Sequence, residues 1–219
     1  MKLLLTSSGL SNKSIANALF ELTEKKPEDT TVAFIPTASN VEPGDKTWLI
    51  EDLISLKKLN FKSIEITDIS AVDEKIWRPS LERADIIYFE GGNSYHLMRS
   101  IIKSGLNMMM PTLLKEKVYV GVSAGSMVTS ADLSLKLSQE IYKEDMEESE
   151  ELEGLSLVDF YFLPHLNSEY FVNVREENIR RVSQGVDKKI YALDDNSALK
   201  IVDNAVEVVS EGNWFVVEK

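Results

Sequence analysis

Ser123 lies between two glycines at the end of a β-branched run, in the stretch Gly121-Val122-Ser123-Ala124-Gly125. A serine at a sharp strand-to-helix turn is held in a strained backbone conformation, and glycines two positions away relieve the crowding across that turn. This pattern is typical of a nucleophile elbow, which exposes the hydroxyl for attack on a carbonyl carbon. The spacing favours Ser123 as a nucleophile, and the alternative is a polar residue in a structural turn.

A nucleophilic serine needs a base, and the chain contains two histidines. His165 follows an apolar run and precedes a segment with helical spacing, so we predict it at the end of a strand. His96 is predicted in the first turn of a helix. We therefore favour His165 as the base, and the alternative is a partly buried histidine beside the turn at Pro164.

The acid that orients the histidine is expected on another loop, and two adjacent carboxylates interrupt apolar runs in the downstream stretch LDDNSAL. We prefer Asp195, with Asp194 and Asp132 as alternatives. The competing interpretation is a turn whose Asp and Asn side chains bond their own backbone. The chain order Ser, His, Asp differs from the order in α/β-hydrolases, which argues against an ordinary lipase or esterase.

An oxyanion hole needs two N–H donors, and one usually comes from the residue after the nucleophile, here Ala124. The second donor is predicted at Gly92, because the absence of Cβ in Gly91-Gly92 allows the backbone to approach a substrate closely. A phosphate-binding glycine loop is the competing interpretation. The chain contains neither a Walker sequence nor G-x-G-x-x-G, so nucleotide binding is disfavoured.

These residues fall at the ends of predicted strands. Short apolar runs predict five buried parallel strands, which are Lys2 to Thr6, Thr31 to Pro36, Ser63 to Thr67, Ile86 to Phe89 and Val118 to Val122. Helical spacing separates them, at Ser14 to Lys25, Asp45 to Leu59, Asp73 to Arg83 and Ser94 to Lys103. The alternation predicts an α/β fold with a doubly wound, mostly parallel sheet between helices, in a single domain spanning residues 1–219. Functional loops of such a sheet lie at the carboxyl ends of its strands.

The second half of the chain is less regular. The segment Gln139 to Glu153 is dominated by charged residues, which favours a solvated surface helix or loop over the alternative of a mobile acidic flap. An apolar run over residues 157–163 is followed by a predicted helix from about Ser168 to Gln184. Three strands are predicted in KKIYALDD, SALKIVDN and AVEVVSEGNWFVVEK, with a hairpin turn at Asp203-Asn204.

The composition argues against several kinds of binding partner and several kinds of covalent or metal site. The formal net charge of −12 disfavours nucleic acid and anionic membranes, because both would repel an acidic surface. The chain has no cysteine, so disulfides and thiolate metal sites are excluded. The apolar run at the N-terminus is too short for a signal peptide or a membrane span, and we expect a cytoplasmic protein. We also expect no metal and no cofactor.

Six motifs together resemble the peptidase E family, the S51 serine peptidases that include aspartyl dipeptidase and cyanophycinase. They are IPTAS at 35–39, YFEGGNSYHL at 88–97, GVSAGSMV at 121–128, LPHL at 163–166, VREENIRR at 174–181 and LDDNSALKI at 193–201. The resemblance covers nearly the whole chain. It implies a class I glutamine amidotransferase-like fold, a flavodoxin-like three-layer sandwich with a C-terminal β-hairpin.

The resemblance also implies hydrolysis after an N-terminal aspartyl residue, without a metal or cofactor. We expect a monomer or homodimer. Ser123 and His165 match the family's nucleophile and base, and Asp195 takes a position usually held by glutamate. Gly92 and Ala124 match the oxyanion donors. Substrate-binding roles fall on Asn93, in the glycine motif, and on Arg175, whose guanidinium suits a substrate carboxylate.

Two departures from the family pattern are visible. Glu90 stands where the family often has the first of three glycines, and the spacing from His165 to Arg175 is short. Two alternatives to an Asp-X dipeptidase therefore stay open at this point. One is a hydrolase of the same mechanism acting on another peptide or an aspartyl polymer, and the other is a catalytically silent binding protein with the same fold.

Overall fold

The computed structural model describes residues 1–219 and contains two β-sheets. The strands are β1 (Lys2–Thr6), β2 (Thr31–Ile35), β3 (Ser63–Ile66), β4 (Ile86–Phe89), β5 (Val118–Val122), β6 (Phe160–Leu163), β7 (Lys189–Leu193), β8 (Ser197–Val202), β9 (Ala205–Ser210) and β10 (Trp214–Val217). The larger sheet has seven strands in the order β3-β2-β4-β5-β1-β8-β9, and the smaller has the order β10-β7-β6. The five strands predicted in the first half are parallel neighbours in the larger sheet.

The helices are α1 (Lys13–Thr23), α2 (Thr37–Asn40), α3 (Thr47–Lys58), α4 (Glu74–Arg83), α5 (Ser94–Ser104), α6 (Leu106–Leu113), α7 (Ala124–Met127), α8 (Leu135–Leu137) and α9 (Glu176–Val182), with a 3₁₀ turn at Pro27–Asp29 and a π-helical turn at Ser138–Tyr142. The four predicted helices correspond to α1, α3, α4 and α5. The sequence pattern does not predict α6, because Gly105 separates it from α5 in a left-handed conformation and Pro111 lies inside it. None of these helices combines the length and the apolar composition that a membrane-spanning helix needs.

The core lies on both faces of the larger sheet. Alternate residues of each strand enter different apolar clusters: Leu3 and Leu5 of β1 join one, whereas Leu4 joins the other. Successive side chains of a strand point to opposite faces, so a strand buried on both sides must be apolar throughout. This packing confirms the predicted doubly wound sheet between two layers of helices.

Two predictions for the second half are wrong. The helix expected over Ser168 to Gln184 is only the seven-residue α9, because residues 167–173 form turns that begin with Asn167 in a left-handed conformation. The last predicted strand is two strands, β9 and β10, which separate at Glu211-Gly212-Asn213 and enter different sheets. The hairpin turn predicted at Asp203-Asn204 is present between β8 and β9.

Candidate active site

Ser123 has the backbone conformation of a nucleophile elbow, with φ 46° and ψ −106° directly after β5. An L-residue reaches this region only under strain, so the surrounding contacts must hold it. The Ser123 N–H donates to Thr6 O at 2.9 Å, and the Ser123 carbonyl accepts from the N–H groups of Ser126 and Met127. The buried Ser126 Oγ accepts the Thr6 N–H at 3.0 Å and lies within donating distance of Gly121 O, at 2.8 Å, and thereby joins β1, β5 and α7.

The two glycines of the elbow lie against backbone. A Cβ on Gly121 would lie 2.5 Å from Gly125 O, and a Cβ on Gly125 would lie 2.3 Å from Phe89 O. Both separations are far below van der Waals contact. The G-x-S-x-G spacing is therefore required by the tight turn itself, as the sequence pattern predicts.

A chain of two hydrogen bonds leads from Ser123 to a carboxylate. His165 Nε2 lies 3.0 Å from Ser123 Oγ, and His165 Nδ1 lies 2.7 Å from Asp195 Oδ1. With Nδ1 protonated and bonded to Asp195, Nε2 is free to accept the serine proton. The three side chains thus have the mutual geometry of a Ser-His-Asp triad.

The smaller sheet explains why the histidine and the aspartate meet. Strands β6 and β7 are parallel, with Leu163 opposite Ala192, so their carboxyl ends lie side by side. His165 follows β6 by two residues and Asp195 follows β7 by two. The Leu166 N–H donates to Leu193 O at 3.0 Å and ties the two loops together.

The loop after β1 supports both of these loops. Ser7 Oγ donates to Leu193 O at 2.9 Å and accepts a longer bond from the His165 N–H. Ser11 Oγ donates to Asp195 O at 2.6 Å, and Asn12 Nδ2 donates to Asn196 O at 2.9 Å. The loop therefore connects the larger sheet, which carries Ser123, to the strands that carry the base and the acid.

The sequence matches a known protein family over most of its length. The family model described as peptidase family S51 matches residues 3–209. The chain belongs to peptidase family S51. This assignment confirms the resemblance carried by the six motifs, and it makes the chain a serine peptidase.

Relatives of this S51 peptidase agree with the assignment. The chain is 28% identical to an uncharacterized peptidase of Listeria innocua over 86% of this chain and 88% of that protein. It is 27% identical to peptidase E of Streptomyces coelicolor over 55% of this chain and 50% of that protein. A crystal structure assigned provisionally to peptidase E, from Listeria monocytogenes, superposes with a TM-score of 0.78 at 26% identity, covering 96% of this chain and 98% of that one.

The backbone N–H groups of Gly92 and Ala124 have no hydrogen-bond acceptor within the S51 peptidase. A Cβ on the neighbouring Gly91 would lie 3.3 Å from Ser123 Cβ, so the glycine pair lies against the nucleophile. Gly92 has φ 128°, and a Cβ there would lie 2.3 Å from Ala38 O. Only glycine fits at position 92. The free N–H groups of Gly92 and Ala124 are thus two hydrogen-bond donors that flank the serine.

An aromatic side chain that the sequence patterns did not indicate covers the histidine. The Phe171 ring stacks on the His165 imidazole, with centroids 4.4 Å apart and an interplanar angle of 8°. Tyr142 packs edge-on against Phe171 and donates its hydroxyl to Pro164 O at 2.9 Å. Burial raises the pKa of Tyr142 well above its ordinary value, so the phenol remains a neutral donor. The only local signal is the order of aromatic residues in EYFVN, which also suits an exposed turn.

A cavity of about 850 Å³ opens in front of Ser123, His165, Gly92 and Asp195. Tyr142 and Glu144 from the acidic segment also line it, so this segment combines a solvated surface with part of the cavity wall. The segment is anchored by a two-pronged ion pair between Arg99 and Glu148, with bonds of 2.7 and 2.6 Å. Burial, followed by the nearby Asp145 and Glu42, raises the pKa of Glu144 to about 7.

Arg175, expected to bind substrate, lies outside this cavity. Its guanidinium donates to three backbone carbonyls, those of Phe171, Val174 and Ser168, at 3.0 to 3.2 Å. With Glu176 it borders a separate surface depression. In this conformation Arg175 braces the loop that carries Phe171.

Asn93 and the alternative candidates have other contacts. Asn93 Oδ1 caps α5 by accepting the His96 N–H at 2.7 Å, and Asn93 does not line the cavity. The Asp194 carboxylate accepts hydrogen bonds from the Asn196 N–H and the Ser197 hydroxyl inside its own turn. Asp132 bonds Tyr161 and Lys188. Among the candidates for the acid, only Asp195 contacts the histidine.

Proposed function

We propose that this S51 peptidase hydrolyses short peptides through an acyl-enzyme, with Ser123 as nucleophile, His165 as base and Asp195 as the orienting acid. The observation that carries the proposal is the unbroken hydrogen-bond chain Ser123-His165-Asp195. It is supported by the strained conformation of Ser123 and by the two free N–H donors beside it. A turn with a purely structural role would not need all three of these features at once.

In the proposed mechanism His165 Nε2 removes the proton from Ser123 Oγ, which attacks the scissile carbonyl. The N–H groups of Gly92 and Ala124 stabilise the negative charge on the carbonyl oxygen. His165 then protonates the leaving amine, and a water molecule activated by the same nitrogen hydrolyses the acyl-enzyme. Asp195 holds Nδ1 protonated and stabilises the imidazolium. No step calls for a metal ion, and the structure contains no cluster of three or more His, Asp or Glu side chains arranged to hold one.

Short peptides suit the size of the cavity. At about 850 Å³ it lies within the range of small-molecule sites, and Tyr142 and Phe171 narrow it next to the histidine. The Arg99–Glu148 ion pair anchors the segment that carries Tyr142 and Glu144. A wall held in this way favours a substrate of a few residues over a long folded chain.

The preference for an N-terminal aspartate, which the family resemblance implies, depends on Arg175 as the reader of the substrate carboxylate. For that role the guanidinium has to give up its hydrogen bonds to three backbone carbonyls and bind the substrate carboxylate instead. We therefore propose serine-dependent dipeptide hydrolysis as the function, and we include Asp-X among the substrates to be tested.

The experiment measures turnover of Asp-X, Glu-X, Ala-X and isoaspartyl-X dipeptides by the wild type, Ser123→Ala and His165→Ala. Each substitution is expected to lower kcat by a factor on the order of 10⁴ to 10⁶, as in other serine triads. Ser104→Ala, which alters a serine at the end of α5, is the matched control and should behave as wild type. A serine-reactive phosphonate should label Ser123.

Retention of most of the activity by Ser123→Ala would contradict the assignment. Absence of both turnover and phosphonate labelling in the wild type would instead support a silent protein with this fold. Serine-dependent cleavage confined to Asp-X would restore the aspartyl preference.

A further inference from the structure

The charge of the cavity is one-sided. Six carboxylate side chains besides Asp195 line it, and no lysine or arginine does. They come from the loop after α2, from α3, from the end of β4 and from the segment after the π-helical turn: Glu42, Asp45, Glu51, Asp52, Glu90 and Glu144. Low-dielectric walls lined by one sign of charge concentrate ligands of the opposite sign.

Glu90 is the member of this set that requires an explanation. It is 1% exposed, yet one of its carboxyl oxygens, Oε2, has no hydrogen-bond partner. A buried polar atom without a partner costs free energy, and native proteins retain few of them. Glu90 lines the cavity and directly precedes Gly91-Gly92, the pair next to Ser123. Glu90 therefore places a buried acceptor that lacks a protein partner in the wall of the cavity, next to the nucleophile.

A second carboxylate accompanies Glu90. Asp52 of α3 accepts a hydrogen bond from the buried Tyr88 hydroxyl at 2.7 Å. Asp52 also lies so close to Gly9 that a Cβ there would come within 2.2 Å of Asp52 Oδ1. Burial and then the proximity of Asp52 raise the pKa of Glu90 well above its ordinary value. A positive charge beside this pair would offset the repulsion between the two carboxyl groups and would favour the ionised form of Glu90.

We propose that the Glu90–Asp52 pair binds a cationic nitrogen of the substrate residue on the acyl side of the scissile bond. The proposal rests on the function proposed above and specifies its substrate class. Two nitrogens carry this chemistry, the ammonium or guanidinium of a basic side chain and the free α-ammonium of the peptide. An aspartyl side chain in the same place would face carboxylates alone.

Two dipeptides and one N-acyl amino acid separate charge from shape. Lys-Leu carries both cations, norleucyl-Leu lacks the charge on the side chain, and hexanoyl-Leu has the norleucyl chain without its α-amine. A charge-assisted hydrogen bond corresponds to roughly a tenfold to hundredfold difference in kcat/KM. If the side chain is the ligand, the wild type prefers Lys-Leu to norleucyl-Leu by that factor. If the α-ammonium is the ligand, the same preference appears for norleucyl-Leu over hexanoyl-Leu.

Glu90→Gln and Asp52→Asn keep the shape of each side chain and remove its ability to carry a negative charge opposite a cationic ligand. Each is expected to reduce the observed preference at least several-fold. Glu28→Gln is the matched control, because Glu28 is exposed in the 3₁₀ turn before β2, at the opposite ends of the strands. The Glu28→Gln variant should show the same ratio of kcat/KM values between the substrates as the wild type. Labelling of Ser123 by the uncharged phosphonate verifies that each variant is folded, and Asp52→Asn decides the matter if Glu90→Gln does not fold.

Equal kcat/KM for all three substrates in the wild type would overturn the proposal, and so would a preference that both variants retain in full. Neither outcome touches the proposed function, which depends on the loss of turnover in Ser123→Ala for whichever substrate is cleaved.

Discussion

At the scale of single residues, the two adjacent aspartates have different contacts although their sequence context is nearly the same. Asp195 contacts His165, whereas Asp194 is 9% exposed and holds the turn between β7 and β8. The Asp194 carboxylate also accepts hydrogen bonds from Asn213, next to β10. We therefore expect substitutions of Asp195 to affect the chemistry and substitutions of Asp194 to affect stability.

Asp195→Asn is expected to lower kcat by a factor on the order of 10³ to 10⁴, with little effect on the free energy of unfolding. The amide favours the tautomer that leaves Nε2 protonated and unable to accept the serine proton. Asp194→Asn is the matched comparison, and it should cost about 1–3 kcal/mol of unfolding free energy because it weakens buried hydrogen bonds. Steady-state kinetics and thermal melts of both variants test this difference. The reverse pattern would assign the catalytic role to Asp194.

At the scale of elements, the glycine loop after β4 fits only one residue type at position 92. Gly92 and Gly185 both have positive φ, but a Cβ on Gly185 meets nothing within 4 Å. Gly185→Ala should therefore cost about 1 kcal/mol from backbone strain alone. Gly92→Ala should cost about 2–4 kcal/mol and abolish turnover, because the Ala38 carbonyl has to move. Equal melting temperatures for the two variants would show that the loop is more adaptable than this packing implies.

The loop between β6 and α9 is a second element that depends on one side chain. Arg175→Lys removes the planar group that reaches three carbonyls, so the loop carrying Phe171 should loosen. We expect kcat to fall several-fold for every dipeptide, with the ratio of Asp-X to Ala-X turnover unchanged. Selective loss of Asp-X turnover would instead indicate that the guanidinium binds substrate. Arg180→Lys, on the exposed face of α9, is the matched control.

At the scale of the whole molecule, the net charge of −12 is concentrated in part around one cavity. Burial raises the pKa of Glu144 to about 7, so the folded protein binds more protons than the unfolded chain between about pH 4.5 and 7. This group therefore stabilises the fold least at high pH: its contribution declines as pH rises through that window.

Glu144→Gln should reduce the loss of melting temperature between pH 5 and pH 8, because the amide does not ionise. Glu150→Gln removes an exposed carboxylate of the same segment and serves as the control, with a pH dependence like that of the wild type. Thermal melts at several pH values and fixed ionic strength measure the difference. Identical profiles for the wild type and Glu144→Gln would contradict the raised pKa.

Much of this protein is determined by local sequence. The β-branched runs, the helical spacing between them and the turn at Asp203-Asn204 predict the doubly wound sheet and its hairpin, because each signal depends on neighbours a few residues apart. The elbow at Ser123 belongs to the same class, since glycines two residues away are required by the geometry of one turn.

The tertiary structure alone decides what distant segments do to each other. The direction of the Arg175 guanidinium and the stacking of Phe171 on His165 depend on how the loop after β6 folds back on itself, and the choice between Asp194 and Asp195 depends on where that loop meets the loop after β7. The six carboxylates around the cavity come from four segments of the chain, and they line one cavity only because the fold brings these segments together. A local pattern can specify a turn, but the electric field of a site is a sum over groups that the fold brings together.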